Sequence, residues 1–152
     1  MDRIIISDTS CLIALQKIDL LDVLQKLYGE IIITEEVKNE YGTSLPEWII
    51  TTKVKNIDKQ LDLESKLDKG EASAIALALE IENSTLIIDE IKGRKIAQSL
   101  QLKIIGTIGI LVLANKRGIL NDILGPILKL VNSGFRMSDK LINSIIGKYG
   151  KS

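Results

Sequence analysis

Short, continuous apolar runs alternate along the chain with longer stretches in which apolar residues recur at helical spacing. β-Branched runs such as RIIIS predict buried strands, and the periodic stretches predict amphipathic helices. The apolar runs predict five strands, at 3–7, 31–33, 49–54, 85–88 and 103–105. The periodic stretches predict a helix at 10–28 that breaks near 18–19, and a second helix that begins after the N-cap Thr34 and ends at Gly42. Two further helices, at 56–67 and 69–82, are separated by a break around 68–70. The remaining helices are predicted at 92–100, 108–116, 121–132 and 138–148.

Strands that are apolar throughout and separated by helices are typical of a mainly parallel sheet covered on both faces. The predicted fold class is therefore α/β, with a five-stranded sheet flanked by helices. No repeat, low-complexity segment or long linker interrupts the 152 residues, and this length predicts one domain. In such sheets ligands bind outside the carboxyl ends of the strands, so candidate functional residues are sought at those ends.

Aspartates follow two of the predicted strands directly. Asp8 comes after the first strand in IIISDTS, and Asp89 comes after the fourth in TLIIDE. Both would lie at the sheet edge where ligands bind, but aspartate is also a common helix N-cap. Either residue could therefore cap the helix that follows it, and both interpretations stay open.

Two of the predicted helices carry further candidate carboxylates. Glu71 lies in the first turn of the alanine-rich helix DKGEASAIALALE, where the helix dipole alone would favour a negative charge. Glu36 and Glu40 are four residues apart and share a helix face, and either or neither could turn inward. If such carboxylates cluster, a hard divalent cation such as Mg²⁺ or Mn²⁺ would remove their mutual repulsion.

The composition limits the chemistry that the chain can perform. It contains no histidine, which excludes His-dependent catalytic triads and His-ligated zinc, and its single Cys11 excludes an internal disulfide. The formal net charge is zero and aromatic residues make up 3%, so neither bulk positive charge nor a broad aromatic platform would bind nucleic acid. No stretch has the length of a membrane span or the pattern of a signal peptide, so we expect a cytoplasmic protein.

Taken in order, these motifs resemble the PIN domain. The motifs are Asp8-Thr9-Ser10 after the first strand, Val37-x-x-Glu40 on the helix after the second, Gly70-Glu71-Ala72 opening the alanine-rich helix, and Asp89 after the fourth strand. The segments IISDTSCLIAL, LDKGEASAIALALE, IIDEIKGRKIA and IIGTIGILVLA are similar to a prokaryotic PIN-like family related to VapC toxins. The resemblance covers roughly residues 3–118. It implies a PIN-like three-layer fold in which residues 1–152 form one domain and 119–152 are a C-terminal helical extension packed on it.

The resemblance also implies a function. Members of the PIN superfamily are typically Mg²⁺- or Mn²⁺-dependent ribonucleases, many are toxins inhibited by a small antitoxin protein, and relatives are often homodimers. On this basis the chain would hydrolyse RNA phosphodiester bonds with a catalytic quartet formed by Asp8, Glu40, Glu71 and Asp89. Of these, Asp8, Glu71 and Asp89 would bind the metal, while Glu40 would orient or activate the attacking water.

Other positions would support the site or bind the substrate. By resemblance these are Ser10 and Thr107. Lys92, Arg94 and Lys95 form a local basic group after Asp89, and Lys92 and Arg94 are candidate substrate-binding residues. The basic group could equally be a solvated helix face, and Arg94 could pair with Asp89 or with a phosphate. Glu90 departs from the toxin pattern and could stand in as an acidic ligand.

Several alternatives remain at this level. The chain could be a catalytically weak or inactive PIN-like module that binds protein or RNA. A receiver domain would need an early acidic pair that DTS lacks, and a haloacid-dehalogenase-like phosphatase would need Asp-x-Asp, whereas Ser10 follows Asp8 by two. The apolar face of the last predicted helix could pack on the core or on a partner.

Overall fold

The computed structural model describes residues 3–149 of the chain. Its strands are β1 (Ile4–Ser7), β2 (Ile31–Thr34), β3 (Ile49–Thr52), β4 (Ser84–Ile87) and β5 (Lys103–Ile105). Its helices are α1 (Thr9–Lys17), α2 (Asp22–Tyr28), α3 (Glu35–Tyr41), α4 (Ile57–Glu64), α5 (Lys69–Glu80), α6 (Ile91–Ser99), α7 (Thr107–Lys116), α8 (Leu124–Asn132) and α9 (Asp139–Tyr149).

The strands form one parallel sheet with the order β3-β2-β1-β4-β5. Ile6 in the central strand β1 lies opposite Ile32 on one side and Leu86 on the other. The parallel sheet with helices on both faces confirms the predicted PIN-like three-layer α/β fold.

Alternate side chains of each strand build the two layers of the core. Ile5 and Ile87 point to the face covered by α1, α2, α7 and α8, whereas Ile6 and Leu86 point to the face covered by α4, α5 and α6. Burying a side chain of this size contributes about 1.5–3 kcal/mol, so both faces must be apolar. This explains why the strand sequences are continuous apolar runs rather than alternating ones.

Local signals set most of the helix ends. The Thr34 hydroxyl accepts a hydrogen bond from the Val37 N–H, and Gly42 ends α3 with a φ of 82°, both as predicted. The long helix predicted at 10–28 is broken near Asp19, whose φ of 59° lies in the left-handed region. These boundaries agree with the sequence because each depends on a residue within one turn.

Several boundaries differ from the prediction by two or three residues, among them the ends of α4 at Glu64 and of α5 at Glu80. The third strand ends at Thr52 rather than at residue 54, because the N–H groups of Lys55 and Asn56 turn to the Glu80 carboxylate at the end of α5. Helix α8 begins at Leu124 rather than at residue 121, and the Asp122 carboxylate accepts from the N–H groups of its first two residues.

The C-terminal helices pack at least partly on the core. Ile127, Leu130 and Ile145 are buried in the same cluster as α1 and α7, so part of the last helix's apolar face covers the domain. Leu141 and Ile146 on α9 stay exposed. The division of the domain at residue 119 stays a prediction. Among the described residues, none of the helices is both long and apolar enough to cross a membrane.

Candidate active site

The sheet order brings the first and fourth strands together. Ser7 is in register with Ile87, and the Asp8 N–H donates to the Ile87 carbonyl at 3.1 Å. Asp8 and Asp89 therefore both leave the carboxyl edge of the sheet at its centre. The negative charge of Asp89 is close enough to affect the ionisation of Asp8.

Asp8 is buried and also caps a helix. Its side chain is at the N-cap of α1 and accepts a hydrogen bond from the Cys11 N–H at 3.0 Å, while only 1% of the residue is exposed. Burial raises the pKa of Asp8 to about 7; the Cys11 N–H opposes this rise and the charge of Asp89 adds to it. Asp8 therefore caps α1 and also lies at the edge of the candidate site, so the two interpretations are compatible.

Asp89 caps a helix other than the one that follows it. Its Oδ1 accepts from the Thr107 N–H at 2.7 Å and its Oδ2 accepts from the Thr107 hydroxyl at 2.5 Å. Gly106, at the N-cap of α7, has no side chain to fill this role, and a Cβ there would lie 2.9 Å from Asp89 Oδ1. Asp89 is therefore held rigidly by the start of α7.

Glu71 enters the site from the first turn of α5. The residue is 7% exposed, and its Oε2 atom is buried without a hydrogen-bond partner. Burial is the first cause that raises the pKa of Glu71, followed by the hydrogen bond and charge of Asp68 and by the charge of Glu90. An oxygen buried without a partner is costly, which favours a role in binding something that the protein alone does not supply.

Glu40, rather than Glu36, turns toward the site. A Cβ at Gly70 would overlap the Glu40 carboxylate, so the bare backbone of α5 makes room for it. Partial loss of water and then the charge of Asp68 raise the pKa of Glu40, whereas the Gly70 N–H and the Thr9 hydroxyl oppose the rise. Glu36 instead accepts a hydrogen bond from the Gln60 amide at 2.5 Å.

Two further carboxylates join this cleft. Asp68, Glu71 and Glu90 each offer one oxygen, and these oxygens all lie within 4.8 Å of one another. At Asp68 the sequence predicted only a helix break, although Asp68-x-x-Glu71 is a typical capping pattern. The Asp68 side chain does cap α5, accepting from the Glu71 N–H at 2.8 Å.

The comparison with protein families agrees with this geometry. The sequence model of a PIN-domain family matches residues 4–151. The chain belongs to the PIN-domain family. PIN domains are in general metal-dependent nucleases, and the carboxylate cleft is compatible with that class. A comparison with curated proteins found no match, and neither did one with solved structures.

The residues predicted to support the carboxylate quartet, Ser10 and Thr107, differ in their burial. Thr107 is fully buried behind Asp89, which favours holding that carboxylate over touching a substrate. Ser10 is exposed and borders a groove with Ser133 and Phe135. Its neighbour Thr9 is buried and lies beside Gly70. The roles of Ser10 and Thr107 stay predictions.

A groove of about 540 Å³ opens beside the carboxylates of the cleft. It is lined by Asp89, Glu90, Ile91, Lys92, Lys95 and Arg136. Arg136 comes from the segment between α8 and α9, and no local signal placed it there. Arg94 does not line this groove; its Nη1 donates to the Ile88 carbonyl at 2.9 Å.

Proposed function

We propose that this PIN-domain chain is a ribonuclease of the toxin type that hydrolyses RNA phosphodiester bonds at the cleft of Asp8, Glu40, Glu71 and Asp89. The observation that carries the proposal is that Asp8 and Asp89 leave the carboxyl edge of the sheet side by side, and that the charge of Asp8 also raises the pKa of Glu71. Burial raises the pKa of Asp8 and of Glu71, and carboxylates with raised pKa values are typical of functional sites.

The donor set fits a hard divalent cation. All the candidate ligands are carboxylate oxygens, the chain has no histidine, and Glu71 Oε2 is buried without a partner. Asp8, Glu71 and Asp89 would hold Mg²⁺ or Mn²⁺. When bound, such an ion stabilises negative charge developing on a phosphate and makes water more acidic.

The protein groups around these ligands have distinct tasks in the proposed reaction. The Cys11 N–H and the Thr107 side chain hold Asp8 and Asp89 in place. Glu40 is exposed, and with its raised pKa it is suited to orient a water and accept a proton from it.

The groove beside Asp89 is suited to an RNA backbone. Lys92, Lys95 and Arg136 supply positive charge on a chain whose net charge is zero, so capture of phosphate depends on local groups of this kind. Arg94 stays a proposed substrate residue, although its donation to the Ile88 carbonyl favours a role in holding the strand end. The exposed Ile91 offers an apolar surface to an unstacked base.

The remaining features of the proposal come from the resemblance to VapC-like toxins. They are inhibition by a small antitoxin protein, a homodimeric state and a cytoplasmic location. Each is separable from the nuclease activity, which the carboxylates would support in a single chain.

The test is cleavage of mixed single-stranded RNA by the purified protein with Mn²⁺ or Mg²⁺. Asp89→Asn should lower the rate at least ~100-fold, since removal of one charge-stabilising group costs catalysis on this scale. Glu82→Gln, at an exposed carboxylate just beyond the far end of α5, is the matched control and should cleave like the wild type. If wild type and Asp89→Asn cleave alike, the activity is a contaminant. If neither cleaves any RNA, the chain is a non-catalytic binding module.

A further inference from the structure

A cavity of about 530 Å³ lies at the amino end of the sheet, between β1, β4 and β5 on one side and the last turns of α2 and α7 on the other. Its polar lining residues are Arg3, Tyr28, Thr85, Lys103 and Arg117, and isoleucine and leucine side chains form the remaining walls. We call it the amino-end cavity. Its volume lies within the range of small-molecule binding sites.

Polar side chains cross one face of the sheet at this cavity. Thr85 is in register with Ile5 on one side and with Lys103 on the other. Residues in register on neighbouring strands point to the same face, and Ile5 points to the core under α1, α2, α7 and α8. Two residues further along the same strands, Ile87 and Ile105 pack in that core. A threonine and a lysine therefore replace apolar residues where the face reaches the cavity.

The Arg3 guanidinium is held at the amino-end cavity by uncharged groups. Its Nε donates to the Thr85 hydroxyl at 2.7 Å, its Nη1 to the Asn83 side chain at 3.0 Å, and its Nη2 to the Ser84 carbonyl at 2.7 Å. These bonds use three of the five N–H groups of a guanidinium, so two remain for another acceptor. Arg3 is therefore fixed in place, and the ion pairs described within residues 3–149 do not include it.

The other two cations of the cavity are not neutralised by the described residues either. The ion pairs within residues 3–149 lie in α2 and α4, and none of the residues described as lining the cavity is acidic. Burial raises the pKa of Tyr28 and the charge of Arg117 opposes the rise, so this guanidinium lies close to the phenol. The dipole of α7 favours a cation at Arg117, and Lys103 protects an edge strand, but neither effect requires three cations around one cavity.

We propose that the amino-end cavity binds a small phosphomonoester that carries an aromatic or apolar group. Three cations exceed the single charge of a carboxylate, whereas a phosphomonoester carries about −1.5 to −2 at pH 7. Arginine and lysine side chains both form strong hydrogen bonds with phosphate oxygens. The Tyr28 ring and the isoleucine and leucine walls would cover the apolar group of the ligand. Ile5 precedes Asp8 by three residues, roughly 10 Å along β1, so this site is separate from the carboxylate cleft.

The experiment is calorimetric titration of the full-length protein with phenyl phosphate in EDTA, which prevents divalent ions from binding the probe in the carboxylate cleft. We expect one saturable site that binds phenyl phosphate at least ~10-fold more tightly than inorganic phosphate, because the apolar walls cover the ring. Lys103→Gln/Arg117→Gln should weaken binding at least ~10-fold, since it removes two charged hydrogen-bond donors. Both residues are exposed, so circular dichroism should be unchanged. Lys116→Gln/Lys129→Gln, which removes two exposed charges that do not line the cavity, is the matched control and should bind like the wild type.

Several results would overturn this site. They are the absence of saturable binding by the wild type, an unchanged affinity in Lys103→Gln/Arg117→Gln, and an equal loss in the control variant. Tighter binding of phenylacetate than of phenyl phosphate would overturn the choice of a phosphate. Asp89→Asn should bind phenyl phosphate like the wild type, and a loss there would place the probe in the carboxylate cleft instead. Displacement of the probe by single-stranded RNA without a terminal phosphate would make the cavity part of an RNA-binding surface, which also contradicts a separate site.

Discussion

Replacement of Asp8 by asparagine is expected to stabilise the metal-free protein at neutral pH. The pKa of Asp8 is about 7 in the folded protein, whereas its ordinary value is 3.8. A difference of one in pKa corresponds to about 1.4 kcal/mol, so the ionised carboxylate costs the folded state roughly 4 kcal/mol at pH 8. The Asp8→Asn variant would remove this cost and keep the cap, because the amide oxygen can accept from the Cys11 N–H.

The buried amide adds a cost of its own. Its NH₂ group needs an acceptor, and an unsatisfied buried donor costs about 1–3 kcal/mol. Subtracting this cost from about 4 kcal/mol leaves an expected net gain of roughly 1–3 kcal/mol in the free energy of unfolding. Urea denaturation in the presence of EDTA measures this gain directly.

The pH dependence of the free energy of unfolding distinguishes removal of the buried charge from an improvement in packing. Between about pH 4 and pH 7 the folded wild type binds more protons at Asp8 than the unfolded chain does. Its free energy of unfolding therefore falls as the pH rises through this window, and Asp8→Asn abolishes that part of the slope. The stability of the variant relative to the wild type should be lowest at about pH 4, where only the cost of the buried amide remains, and highest above about pH 7.

Either of two results would refute this reasoning. A variant less stable than the wild type at pH 8, or a stability difference independent of pH, would mean that the charge of Asp8 does not destabilise the folded state. Asp8→Ala removes the same charge but also the cap, worth about 1 kcal/mol, and should gain less than Asp8→Asn. The exposed control Glu82→Gln should change stability by no more than about 0.5 kcal/mol.

Two further predictions concern the groove and the packing around Glu71. In an Asp89→Asn background, changing Lys92, Lys95 and Arg136 to glutamine should weaken binding of single-stranded RNA and lower its salt slope by up to ~0.7 per charge, measured by fluorescence anisotropy. Arg117→Gln, in a groove at the amino end of the sheet, is the control. An equal loss of RNA affinity per charge in this variant would contradict binding of RNA in the groove beside Asp89. Gly93→Ala places a Cβ 2.7 Å from Ile88 Cδ1 and 2.8 Å from Glu71 Oε2, so the free energy of unfolding should fall by about 1–3 kcal/mol. Gly147→Ala on α9 meets nothing within 4 Å and should instead raise it by up to ~1 kcal/mol; an identical response of the two glycines in urea denaturation would contradict the tight packing of Gly93.

The elements and their class could be predicted from the sequence because each depends on neighbours within a few residues. Continuous isoleucine runs predicted the strands, and Thr34 and Gly42 marked the ends of α3 because a cap is made within one turn. Asp8 and Asp89 could also be placed at strand ends, because each directly follows an apolar run in the sequence. The order of the motifs also predicted the PIN-like fold, which the family match confirms.

The composition of the site was decided by the tertiary structure. The order β3-β2-β1-β4-β5 sets Asp8 beside Asp89, which lies far along the chain, and a helix period alone could not tell whether Glu36 or Glu40 turns inward. Gly70 decides for Glu40, because only a residue without a Cβ leaves room for its carboxylate.

Residues that the sequence left unplaced, or named only as a possible ligand in the case of Glu90, were placed by contacts between distant elements. Asp68 and Glu90 meet at Glu71 because α5 and α6 begin at the same edge of the sheet, and Arg136 reaches the groove from the segment after α8. A hydrophobic pattern records which side of a helix is buried. It does not record which polar groups face each other across the gap between helices, since that depends on the packing of whole elements against the sheet.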